Sequence, residues 1–194
     1  MRKTFTGIIA TFIALAGICS CGPKQLNIPQ NLFASELDSI EVKYAPVLGT
    51  GDIAPEFNAA DTLGTFTKLS DLAGNIVVLD FWASWCGDCR REIPVLKAMY
   101  EKYNGAQIAG YPVKFVSISF DRTEEAWKAM LQKEQFGWLQ LADLGKWKEL
   151  KVTTDYQLSW IPTFYVIGPD GKIINGCIKA SRIGEILEAV VAAN

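Results

Sequence analysis

Ile76-Val77-Val78-Leu79-Asp80-Phe81-Trp82-Ala83-Ser84-Trp85-Cys86-Gly87-Asp88-Cys89 is the stretch that decides the fold. Residues 76–83 form an apolar run with a single acid, Asp80, inside it. Such a run, without polar alternation, predicts a central strand covered on both faces, as in a parallel or mixed sheet. A helix is predicted from about Gly87 to Tyr103, because Ile93, Leu96, Tyr100 and Tyr103 recur at three- and four-residue spacing. Cys86 and Cys89 therefore stand at a strand-to-helix junction, within one helical turn of each other.

That position carries chemistry. Exposed N–H groups and the helix dipole stabilise a thiolate at a helix N-terminus. A thiolate is the nucleophile of disulfide exchange, so Cys86 is the candidate attacking group and Cys89 the resolving one. A Cys-x-x-Cys pair also occurs in metal sites. This chain has no histidine and no second such pair, so a four-ligand zinc site cannot be completed within it. No metal and no cofactor are expected, and a purely structural thiol pair is the alternative. Asp80 lies within the apolar strand, where desolvation should raise its pKa and suit it to carry a proton for Cys89. Asp88 should disfavour the Cys86 thiolate, whereas the helix terminus favours it. Cys177 reads as a core cysteine. Trp82, Trp85 and Trp160 are candidates for an apolar patch at the mouth of the site, with ordinary packing the alternative, chiefly for Trp82. Trp127, Trp138 and Trp147 read as core.

Outward from this stretch, Phe57 and Phe66 lie on short runs around Asp61-Thr62-Leu63-Gly64, a hairpin pattern. Residues 113–120 read as the next strand. Asp121, with Glu124 three residues on, reads as the cap of a helix running to about Glu134. Residues 163–167 and 172–178 read as two strands around the turn Gly168-Pro169-Asp170-Gly171. Residues 181–192 read as the last helix. Early alternation of strand and helix with a late hairpin predicts an α/β domain with a mixed sheet flanked by helices.

The 194 residues suffice for one domain and a tail, and 49% apolar content excludes a disordered chain. The formal charge of −2, without a basic block, gives no footprint for nucleic acid. Arg2 and Lys3 precede an apolar run of 11 residues, 8–18. At ~1.5 Å per residue this is too short for a ~30 Å bilayer core and reads as a signal peptide. The sequence thus divides into a signal segment (1–20), a tether (21–51) with a short helix near Ser35–Val42, and a domain (52–194). Ile18-Cys19-Ser20-Cys21 resembles a bacterial lipobox, which implies cleavage before Cys21 and its lipidation.

Residues 80–89 look like the active-site segment of thioredoxin. Gly51-Asp52-Ile53-Ala54-Pro55-Glu56-Phe57, Leu69-Ser70-Asp71-Leu72, Glu92-Ile93-Pro94 and Ile161-Pro162-Thr163 extend the likeness to membrane-tethered reductases of the TlpA/ResA type. The resemblance covers about residues 52–192. It implies a thioredoxin fold with an added N-terminal β-hairpin and a Cys86–Cys89 redox disulfide. It also implies a cis Ile161–Pro162 bond, with Trp85, Gly87, Asp88, Ile161 and Pro162 meeting the substrate. The activity implied is extracytoplasmic, membrane-anchored thiol-disulfide oxidoreduction, as on the periplasmic side. Its partners would be protein thiols and disulfides and a membrane electron donor. Three departures stand out: Ser117 where thioredoxin pairs its buried acid with lysine, Asp88 before the second cysteine, and Lys179 where glycine is usual.

Two other activities fit the same fold. A peroxidase of the peroxiredoxin type needs Thr or Ser three residues before its cysteine and Pro seven before, where this chain has Ala83 and Leu79. A non-catalytic binding domain, such as a copper chaperone of this fold, uses a histidine that is absent here.

Overall fold

The computed structural model describes residues 25–29, 32 and 37–194. The signal segment, Cys19 and Cys21 lie outside the described residues. In chain order the elements are α1 (Ser39–Lys43), β1 (Asn58–Ala60), β2 (Phe66–Lys68), β3 (Ile76–Trp82), α2 (Gly87–Tyr103) and β4 (Gln107–Ile108). There follow β5 (Tyr111–Ser119), α3 (Glu124–Glu134), β6 (Leu139–Ala142), α4 (Lys151–Asp155), β7 (Thr163–Ile167), β8 (Ile173–Cys177) and α5 (Ser181–Ala193). The sheet runs β2-β1-β6-β5-β3-β7-β8, with β4 on the start of β5. Pairing of β3 is parallel with β5 and antiparallel with β7, so the sheet is mixed. The hairpin expected around residues 61–64 is β1–β2.

Every residue of β3 is buried, which is why its sequence lacks alternation. Val77, Leu79 and Phe81 enter one core layer with Phe120, Trp127 and Tyr165. Ile76 and Val78 enter the other, with Phe164, Ile183 and Leu187. Phe81 meets three aromatic rings, those of Phe120, Tyr156 and Tyr165, at 4.8–6.4 Å between centroids. Burying one such side chain contributes about 1.5–3 kcal/mol.

Four local readings change. Strand β6 falls in a stretch without a predicted strand; it pairs parallel with β5. The cap of α3 is Thr123, whose side chain accepts from Ala126 N–H. Asp121, read as that cap, is buried and turned the other way. Trp147 is only half-buried, whereas Trp127 and Trp138 are in the core.

The fourth change concerns residues 37–51, within the expected tether. They carry α1, the short helix expected there, and lie on the domain. Glu41, 4% exposed, accepts Nε of Arg182 at 2.8 Å and Nζ of Lys179 at 3.3 Å. Thr50 Oγ1 donates to Ile174 O at 2.8 Å. Farther upstream, Asn27 exchanges hydrogen bonds with Asn194. Composition rich in Pro and Gly hides this docking, because its partners lie on the last strand and helix. Among the described residues no helix is long and apolar enough to cross a membrane.

Asp121 pins the loop that carries the cysteines. Its carboxylate accepts Ser84 N–H at 3.1 Å, Ser84 Oγ–H at 2.6 Å and Ser119 Oγ–H at 2.6 Å. Replacing a buried, fully used acceptor strands its donors. Asp121→Ala is therefore expected to lower stability by about 2–3 kcal/mol in urea denaturation. A loss below about 0.5 kcal/mol would show that the loop is held by other contacts.

Candidate active site

The loop after β3 brings Cys86 to the N-cap position of α2. Its sulfur accepts the N–H of Cys89 at 3.1 Å. The two cysteines are joined as a disulfide, with Cα atoms 5.3 Å apart, and are 7% and 3% exposed. When the bond opens, sulfur on Cys86 stands at the positive end of a 17-residue helix, where negative charge is favoured. Asp88 is ion-paired with Arg91 on the next turn, so the charge expected to oppose that thiolate is partly neutralised. Arg90 donates to Ser84 O at 2.6 Å and helps fix the loop.

The Ile161–Pro162 bond is cis. The carbonyl oxygen of Ile161 lies 3.4 Å from Cys86 Sγ, so the chain before β7 abuts the cysteines as expected. Trp85 is 49% exposed beside the disulfide. Trp160 is half-buried and stacked on Tyr44 at 4.1 Å. Trp82 is packed inside against Phe136, so it leaves the mouth of the site. Gly87 is the first residue of α2.

Behind the disulfide, alternation along β3 turns Asp80 toward α2. It lines a cavity of about 10 Å³ with Cys89, Glu92 and Pro162, a space on the scale of one water molecule. Ser117 stands directly opposite Asp80 on β5. Its hydroxyl donates to Asp80 Oδ2 at 2.8 Å and accepts Trp138 Nε1–H at 2.8 Å. Burial pushes the Asp80 carboxyl up to about 7; the Ser117 hydrogen bond opposes this and the nearby Glu92 adds to it. Such a carboxyl can both hold and release a proton near neutral pH.

Glu92 belongs to this cavity, a place the sequence reading did not assign it. Its spacing of three from Cys89 puts both on one helix face, the signal that was there to find. Its Oε2 also accepts Ala180 N–H at 2.8 Å, tying α2 to the start of α5. Cys177 is buried, and burial pushes its thiol well up, as befits a core position. Lys179 is at the groove rim, where it is paired with Asp38 and Glu41.

Residues 74–173 match the thioredoxin-like family model. A thiol-disulfide oxidoreductase ResA of Bacillus cereus is 28% identical over 158 residues, 81% of either chain. That of Bacillus subtilis (strain 168) is 28% identical over 193 residues, 98% of this chain and 96% of the relative. Among solved structures, the thioredoxin domain of a thiol-disulfide oxidoreductase from Bacteroides vulgatus is 27% identical with a TM-score of 0.62. The match covers 72% of this chain and 99% of that one. The mixed sheet with its N-terminal hairpin is thus a thioredoxin fold. A disulfide that can open and close at the head of a helix is the feature those relatives are named for, and this chain belongs with them in the thioredoxin-like family as a thiol-disulfide oxidoreductase.

Proposed function

We propose that this enzyme reduces protein disulfides outside the cytoplasm, held at a membrane by a lipid on Cys21. The observation that carries the redox reading is the Cys86–Cys89 pair at the N-terminus of α2. The Cys86 thiolate attacks one sulfur of a substrate disulfide. The substrate S–S bond breaks, its other sulfur leaves as a thiolate and takes a proton, and Cys86 is joined to the substrate. Cys89 passes its proton to Asp80 and attacks Cys86 Sγ. The mixed disulfide breaks, the substrate leaves with both sulfurs reduced, and the enzyme holds the Cys86–Cys89 bond. A dithiol donor at the membrane returns two electrons and resets the pair.

In this cycle Trp85, Gly87, Asp88, Ile161 and Pro162 receive the substrate chain around Cys86. The catalytic groups are Cys86, Cys89 and Asp80. The support for Asp80 is its place in one small cavity with Cys89. The support for extracytoplasmic anchoring is the signal segment and the lipobox-like Ile18-Cys19-Ser20-Cys21. In the exchange written here the cysteine sulfurs themselves carry the electron pair.

The role of each cysteine is separable. Cys86→Ser is expected to abolish turnover of an insulin disulfide with dithiothreitol as reductant. Cys89→Ser is expected to accumulate a mixed disulfide visible by mass spectrometry, since attack occurs and release does not. Normal turnover by Cys89→Ser would sink the assignment.

Asp80 gives a pH signature. Its carboxyl holds a proton in the folded state up to about pH 7 but only to 3.8 as a free group. Between these values the folded state binds more protons, so this group's contribution to stability falls as pH rises from about 4 to about 7. Asp80→Asn is expected to flatten that decline and raise stability at pH 8 by about 2–4 kcal/mol. In stopped-flow traces it should slow release from the mixed disulfide roughly 100-fold, and formation much less. Equal slowing of both steps would place Asp80 elsewhere in the cycle.

Anchoring is tested by fractionation. Cys21→Ala is expected to move the protein from the membrane pellet to the soluble fraction; retention in the pellet would point to another anchor.

A further inference from the structure

The N-terminal helix α1 does not merely rest on the domain. It forms one side of a cleft of about 420 Å³ that opens beside the disulfide. Ile40 and Tyr44 come from the α1 side, Pro162 and Ile178 from the ends of the chain segments flanking β7 and α5, and Asp88 from the first turn of α2. Asp88 directly precedes Cys89, and Pro162 follows Ile161, whose carbonyl lies at Cys86. A polypeptide whose cysteine reaches Cys86 therefore meets this cleft with its neighbouring residues.

The chemistry of the cleft is set by how its charges are used. Asp88 is paired with Arg91. Glu92 accepts the Ala180 N–H. Lys179 is paired with Asp38 and Glu41. Lys43, which also lines the cleft, holds its ammonium over the Tyr44 ring at 4.9 Å. Between these charges lie aliphatic and aromatic groups: Ile40, 53% exposed, with Tyr44 and Trp160 beside it. Exposed aliphatic surface next to a redox centre is stabilised by an apolar occupant.

The wall is also built to stay in place. Asp38 caps α1 through a capping box with Glu41. Glu41 is buried between Arg182 and Lys179, and removing either end of such a pair is costly. Tyr44, at the end of α1, is stacked on Trp160 with ring planes 24° apart. The chain segment from 38 to 44 is thus clamped at both ends over the groove.

We propose that α1 is a specificity element. Ile40 and Tyr44, with Trp160, receive an apolar side chain adjacent to the cysteine of a substrate polypeptide. This rests on reading the Cys86–Cys89 pair as a reductant of protein disulfides. It selects among such substrates by the residue next to the sulfur.

The test uses the full chain and two short peptides that differ only beside their cysteine, Leu in one and Ser in the other. Each cysteine is joined to thionitrobenzoate. Reduction by the Cys86–Cys89 dithiol releases the peptide thiol and the yellow thionitrobenzoate, and dithiothreitol resets the enzyme. The readout is the ratio of kcat/KM for the Leu peptide over the Ser peptide, which cancels any loss of folded enzyme. The wild type is expected to favour Leu roughly tenfold. Tyr44→Ala should bring the ratio to about twofold or less through KM, and Tyr44→Phe, which keeps the ring, should restore it. An unchanged ratio in Tyr44→Ala overturns the proposal. So does a wild-type ratio near one, whether the cleft is then filled by a second copy, seen as a dimer in sedimentation, or by the chain's own N-terminal residues. A wild type inert towards both peptides overturns the reductase reading itself and this proposal with it.

Discussion

The redox end of the molecule depends on the central position of β3, paired parallel with β5 and antiparallel with β7. Central placement buries both faces of the strand and leaves its C-terminal end the natural start of a helix over the sheet. Pairing with β5 sets Ser117 opposite Asp80. The same pairing brings Ser119 and Asp121 level with the loop that follows Trp82. A one-residue slip of that register would turn Asp80 away from α2 and separate it from Cys89. The register is therefore a condition of the chemistry as much as of the core.

Two buried carboxylates, Asp80 and Asp121, show how environment assigns roles. Asp121 is fully enclosed yet surrounded by donors, three of them from Ser84 and Ser119. Such a group, with its oxygens taken up by fixed donors, serves as an anchor for the loop. Asp80 has one hydrogen-bond donor, Ser117, and among the described residues its Oδ1 is without a partner. It faces Cys89 and Glu92 across the small cavity. An acid held so sparingly is poised to exchange a proton near neutral pH.

Local signals made the site legible. The unbroken apolar run of β3, the two cysteines, the turn at Gly168–Gly171 and the apolar stripe of α5 all act over a few residues, so the sequence announces them. Ser117 was legible through the resemblance, as the residue standing where thioredoxin has a lysine; its hydrogen bond to Asp80 emerged with the structure. What stayed hidden depends on distance in the chain. Asp121 carries a helix-capping pattern, but Ser84, 37 residues away, competes for its carboxylate and wins. Strand β6 spans four residues and owes its existence to the exposed edge of β5. The docking of α1 needs Glu41 and Arg182, which are 141 residues apart, and no window of sequence contains both. Glu92 was visible only as part of a motif, and its place behind Cys89 emerged with the cavity.

The hydrogen bonds between Asn27 and Asn194, with Leu26 and Ile28 packed on the face that α5 covers, bear on how far the enzyme can travel. A lipid on Cys21 would leave three residues between it and Gln25, the first described residue, and four fully extended Cα–Cα steps span at most about 14 Å. A domain anchored so closely would sweep a layer thinner than itself. Its targets would be proteins emerging at or resting on the bilayer, and its orientation to that surface would be set by the same few contacts that hold the two ends of the chain together.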